Sequence, residues 1–136
     1  MYPEEIVQPM KAELTQHGFT QLTTPEEVDE FLKQPGTSLI VVNSVCGRAA
    51  GSARPGAIAS LTGDKKPDHL GTVFAGVDGE ATAQARKYML PFPPSSPSIA
   101  LFKDGKLVHF LERHHIEGRT AEMIAENLKM AYDEFC

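Results

Sequence analysis

The run Leu39-Ile40-Val41-Val42 constrains the fold of this chain more than any other stretch. Three of its four residues are β-branched, which favours a strand. The run is apolar throughout rather than alternating. That is the pattern of a strand buried on both faces, at the centre of a sheet covered by helices. The segment before it reads as a helix over "TTPEEVDEFLKQPG". Thr24 is its N-cap, Pro25 occupies the first helical position, Glu27 completes a capping box, and Pro35-Gly36 stops it.

The remaining elements follow from the same rules. "LGTVFAGV" is a second buried strand, and "SIALFKDGKLVHFLE" is a hairpin turning at Asp104-Gly105. "GFTQL" is a short extended piece. The opening helix is expected to place Ile6, Met10 and Leu14 on one face, with a kink at Pro9. A helix rich in small residues starts near Cys46, is interrupted around Pro55 and ends at Gly63. "DGEATAQARKYM" forms another. The last helix carries Ile124, Leu128, Ala131 and Phe135 as one stripe. The order is β-α-β-α-β-α-β-β-α behind an extra N-terminal helix. It predicts an α/β fold with a mixed central sheet flanked by helices on both faces. With 136 residues, 41% of them hydrophobic, one domain over 1–136 is expected.

The net charge of −5 argues against a nucleic-acid or anionic-membrane partner. No apolar stretch approaches the ~18 residues of a membrane span. The acidic, amphipathic start is unlike a signal peptide, so a cytoplasmic location is expected. In a reducing compartment two cysteines, Cys46 and Cys136, are not a structural framework.

Cys46 stands just after the buried strand and at the start of a helix, where the dipole and the unpaired N–H groups favour an anion. A thiol there is expected to be acidified. A fall in pKa from about 8.5 to about 6.5 raises the thiolate fraction at pH 7 from roughly 3% to roughly 75%. A buried, inert cysteine is the competing reading. Arg48, two residues on, is a candidate cation for the sulfur, and Arg54 is expected at the surface. A phosphatase-type C-x5-R loop is excluded, because Ser52 stands where the arginine is needed. A nucleotide-binding Walker loop is excluded, because Ala57-Ile58 follow Gly56. A peroxidase P-x3-T-x2-C pattern is also missing. The adjacent histidines His114 and His115 are expected to point in different directions, and they lack a C-x2-C or H-x3-H partner. No metal site is therefore expected.

"SSPSIALFKDGKLV" resembles the thioredoxin signature in which a cis-proline opens a hairpin strand. On that match the fold is thioredoxin-like, Pro97 is the cis-proline, and its loop lies against the active-site cysteine. Pro55 resembles the proline of the thioredoxin active-site helix. Across nearly the whole chain, "YPEEIVQPMKAEL", "VVNSVCG", "AAGSARPG", "PPSSPSIALF" and "ERHHIEGRTAEMIAENL" resemble the bacilliredoxin family. Those are thioredoxin-fold proteins that remove bacillithiol from mixed disulfides on proteins, usually through a Cys-Gly-Cys motif. The resemblance implies Cys46 as the nucleophile, with Asn43, Gly47, Arg48, Ser96 and Pro97 in support. It implies bacillithiol as the exchange thiol, with no metal or nucleotide, and bacillithiolated client proteins as partners; a weak homodimer is a further expectation. Arg48 occupies the second motif-cysteine position, which points to a one-thiol mechanism. Cys136 is the alternative resolving thiol. A redox-inactive interaction module and a weak disulfide isomerase or reductase are the rival expectations.

Overall fold

In the computed structural model, which describes residues 2–136, the elements run α1 (Glu4–Thr15), β1 (Thr20–Gln21), α2 (Pro25–Lys33), β2 (Thr37–Asn43), α3 (Gly47–Ala59), β3 (His69–Phe74), α4 (Gly79–Lys87), β4 (Ser98–Lys103), β5 (Lys106–Leu111), α5 (Arg113–Ile116) and α6 (Ala121–Phe135). The sheet order is β1-β3-β2-β4-β5. β2 pairs parallel with β3 and antiparallel with β4, so it is the central strand, and all seven of its residues are buried. Its pleat divides the apolar run. Leu39 and Val41 join a core with α1, α3 and α6 residues, while Ile40 and Val42 join a second core with α2 and α4 residues. The unbroken run is thus explained by helices on both faces.

Local signals predicted several elements closely. The Thr24 hydroxyl accepts the Glu27 N–H at 3.1 Å, and the Glu27 carboxylate accepts the Thr24 N–H at 3.2 Å. Asp104 and Gly105 have φ of 50° and 80°, the positive values that a tight two-residue hairpin turn requires.

Other expectations are corrected. The inner face of α1 carries Val7 and Leu14, while Ile6 is exposed. Lys11 takes a half-buried position on this face because its ammonium pairs with Asp78 at 3.4 Å and lies 6.0 Å from the centre of the Phe74 ring. Helix α3 is not interrupted at Pro55 but continues to Ala59, followed by a 3₁₀ turn over Ser60–Thr62. Pro55 removes one backbone donor, the one that would meet the Gly51 carbonyl, and Gly51 is exposed to water. The short helix α5 was not anticipated from the sequence.

Small residues let α3 approach α6 closely. Ala49, Ala53, Gly56 and Ala57 are all buried on α3. A Cβ at Gly56 would lie 2.7 Å from Ile124 Cγ2. This packing leaves the N-terminus of α3, and Cys46 with it, at the C-terminal end of β2.

Candidate functional site

Cys46 is the N-cap residue of α3 and is partly buried, whereas Cys136 is exposed at the end of α6; both are free thiols. The backbone at Cys46 turns sharply. Its φ and ψ are −69° and 91°, and Gly47 N–H donates to the Val45 carbonyl at 2.9 Å, an inverse γ-turn. Gly47 then has a φ of +52°, the left-handed region that disfavours a side chain.

The sulfur takes no cap hydrogen bond from α3. Its environment is built from elsewhere. The Ser44 hydroxyl and then the Arg113 guanidinium hold the Cys46 thiol below its ordinary value by hydrogen bonding, the Arg113 charge adds to this, and partial burial opposes it. The Ser44 hydroxyl accepts the Cys46 N–H at 3.0 Å, which leaves its own proton for the sulfur.

Arg113 also draws the other expected site residues in. Its Nη1 donates to the Ser96 carbonyl at 2.9 Å, and its backbone N–H donates to the Ser95 hydroxyl at 3.3 Å. The Ser96-Pro97 peptide is cis, as is Leu90-Pro91. The loop that carries Pro97 is thereby tied to the residue that faces the thiol. The Arg113 Nε pairs with Glu117 at 2.9 Å, so one guanidinium serves a loop carbonyl, a carboxylate and the sulfur.

Asn43 is buried. Its amide donates to the Met10 carbonyl at 3.1 Å, and its Oδ1 accepts Ser44 N–H at 2.8 Å and Arg54 Nη1 at 3.0 Å. Arg54 corrects an expectation: it is buried rather than at the surface, and it pairs with Glu13 at 2.8 Å. A buried guanidinium requires such partners. Arg48 is exposed and, among the described residues, makes no side-chain hydrogen bond or ion pair within the chain. Arg113 was missed because nothing in "ERHHIEGR" singles out one of its charges. The only available signal was the family resemblance of that segment, which marks no single residue in it.

His114 and His115 also depart from expectation. Their rings converge, with Nε2 atoms 3.2 Å apart, and Glu112 Oε2 lies 3.6 Å from His114 Nε2. The three side chains have the composition of a metal-ligand cluster. However, His115 Nδ1 accepts the Glu112 N–H at 3.0 Å, so a neutral His115 carries its proton on Nε2 and donates it to His114. The arrangement is that of a helix cap on α5.

Residues 2–136 match the family described as disulphide isomerase. The chain is similar to a bacilliredoxin from Cytophaga hutchinsonii, at 70% identity over 98% of this chain and 99% of that one. It is also similar to a bacilliredoxin from Halalkalibacterium halodurans, at 56% identity over 99% and 94%. Among solved structures, mitochondrial thioredoxin 3 from Saccharomyces cerevisiae superposes with a TM-score of 0.59 at 17% identity, covering 90% of this chain and 98% of that one. Thioredoxin O2 from Arabidopsis thaliana gives 0.59 at 15% identity, covering 86% and 96%. At those identities the likeness is one of fold, and the fold is that of thioredoxin.

Proposed function

The chain belongs to the bacilliredoxin family, a thioredoxin-fold family of thiol–disulfide oxidoreductases, and on that premise we propose that it removes bacillithiol from mixed disulfides on proteins through the Cys46 thiolate. The observation that supports this reading is a free, partly buried thiol at the N-cap of α3, just past the end of the central strand, with its pKa lowered by Ser44 and Arg113. Both groups favour the thiolate, which is the nucleophile in exchange.

The cycle uses one protein thiol. Cys46 Sγ⁻ attacks the bacillithiol sulfur of the client's mixed disulfide. The client–bacillithiol S–S bond breaks, and the client leaves as a thiolate, reduced. Cys46 now holds bacillithiol in a new S–S bond. A second bacillithiol thiolate attacks the bacillithiol sulfur of this adduct. Cys46 leaves as the thiolate again, and bacillithiol departs as its own disulfide. In net, the client's mixed disulfide and one incoming bacillithiol thiol become a client thiol and bacillithiol disulfide; the incoming thiol is the reductant, so the cycle calls on no metal or nucleotide. Arg48, exposed at the start of α3, and Arg113 supply positive charge for the carboxylates on the malate portion of bacillithiol. Arg48 cannot resolve the adduct, because a guanidinium is not a nucleophile and stays protonated. Residues 1–136 act in this reading as one cytoplasmic thioredoxin-like domain. Its partners are bacillithiolated clients, with neither nucleic acid nor membrane involved.

The test is intact-protein mass spectrometry after exposure to oxidised bacillithiol. One bacillithiol adduct on Cys46, discharged by added bacillithiol, is expected. Absence of an adduct on the folded protein would favour a redox-inactive interaction module, the second reading that Arg48 in a motif-cysteine position supports. An adduct confined to Cys136 would also overturn the proposal.

A further inference from the structure

We propose that Arg54 is a positioning residue for Cys46: it grips the Asn43-Ser44 segment so that the Ser44 hydroxyl stays bonded to the Cys46 N–H, at the site of the thiol. The inference rests on the activated-thiol reading of Cys46 and extends it to a residue that does not touch the thiol.

The geometry is specific. Arg54 is only 7% exposed. Its Nη1 donates to both the Ser44 carbonyl, at 2.9 Å, and Asn43 Oδ1, at 3.0 Å. Its Nε donates to Glu13 Oε1 at 2.8 Å. Asn43 Oδ1 in turn accepts the Ser44 N–H at 2.8 Å, and the Asn43 amide reaches the Met10 carbonyl at 3.1 Å on α1. The Ser44 peptide is therefore held at its N–H through Asn43 and at its carbonyl by Arg54. That leaves the side chain as the part of Ser44 that faces the site, where its hydroxyl accepts the Cys46 N–H at 3.0 Å. The planar fork of a guanidinium can span acceptors on two residues and a carboxylate on a third; an ammonium cannot. A pure ion pair between α3 and α1 would need only the Glu13 contact. The two further bonds, both to the segment that precedes the reactive cysteine, are what the positioning role explains. Helix α1, the element in front of the βαβ core, thereby gains a part in the site through Glu13 and Met10.

The experiment follows the pH dependence of Cys46 alkylation by iodoacetamide, located by mass, in the full chain and in Arg54→Lys, Arg54→Met, Ser44→Ala and the Arg54→Lys/Ser44→Ala pair. Arg54→Lys keeps the charge and loses the fork. It should raise the Cys46 midpoint by about 0.5–1 pH unit, which is roughly three- to tenfold slower alkylation below both midpoints. The paired variant should titrate with Ser44→Ala alone, because both changes remove the same contact. A wild-type midpoint at the ordinary thiol value fails the activated-thiol reading itself. A depressed wild-type midpoint that persists in Arg54→Lys fails this inference alone, even where Arg54→Met shifts, since that effect would be charge and not position. Additive shifts in the paired variant also overturn it. Should Arg54→Met not fold by circular dichroism, the Arg54→Lys comparison still decides.

Discussion

The Arg113 guanidinium donates to the Ser96 carbonyl at 2.9 Å and to the Glu117 carboxylate at 2.9 Å, and it also lowers the pKa of the Cys46 thiol. The Cys46 thiol and the cis-proline loop are therefore influenced by one side chain. A cation that is shared in this way transmits changes at any of its three contacts to the other two.

Arg113→Met should raise the Cys46 midpoint and slow its alkylation at neutral pH by an amount on the order of three- to tenfold. Arg113→Lys should recover only part of that, because an ammonium cannot reproduce the forked contacts. Glu117→Gln should act in the opposite direction, lowering the midpoint slightly by freeing the guanidinium for the sulfur. The effect is limited because water screens an exposed ion pair. Alkylation rates against pH give all three; a fall in midpoint for Arg113→Met would refute the assigned contact.

The lowered Cys46 pKa has a consequence for stability with a definite sign. In the unfolded chain the thiol titrates near its reference value of about 8.5. Between the folded and unfolded values the unfolded state binds more protons, so stability rises with pH across that window. The contribution is complete above the unfolded value and is lost as the pH falls through the folded one. Under reductant, the difference in Tm between the protein and Cys46→Ser should grow in favour of the cysteine form as the pH rises toward the unfolded thiol's value. A flat difference would contradict a depressed thiol.

Arg48→Cys places a thiol two residues from Cys46. It should let the Cys46–bacillithiol adduct discharge as an internal disulfide without added thiol. In the protein with Arg48 the adduct should persist until a thiol arrives, and Cys136→Ser should leave that thiol-driven cycle intact. Release of the small thiol, followed by mass without reductant, reads both. Spontaneous release that leaves a Cys46–Cys136 disulfide would make Cys136 the resolving residue.

Gly56→Ala tests the close approach of α3 and α6. The added Cβ would lie 2.7 Å from Ile124 Cγ2, 2.8 Å from Ile124 Cβ and 3.3 Å from the Ala121 carbonyl oxygen. Overpacking of this kind costs about 1–3 kcal/mol, more than the helix-propensity gain of about 1 kcal/mol from removing a glycine. Denaturant unfolding should show a net loss; a stabilised variant would show that the helices can separate without cost.

The sequence alone determined what depends on neighbours along the chain. The run at Leu39–Val42 specified a central strand, because burial on both faces leaves no polar position. The Thr24 cap and the Asp104-Gly105 turn could be read directly, since each is completed within a few residues. The same locality placed Cys46 at a strand-to-helix junction, and the long resemblance supplied the family. Only the tertiary structure decided which charged groups belong to the site. Arg54 looked like a surface residue because helical spacing says nothing of the acceptors on Glu13, Asn43 and Ser44 that make its burial possible. The inner face of α1 was misjudged for a related reason: Lys11 finds Asp78 and the Phe74 ring across the fold. His114 and His115 converge because α5 curls the chain where a strand would have separated them. Arg113 influences Cys46 because the β4–β5 hairpin and α5 bring the chain back toward the end of β2. Electrostatic partners are set by distance in space, and for groups far apart in sequence that distance exists only after folding.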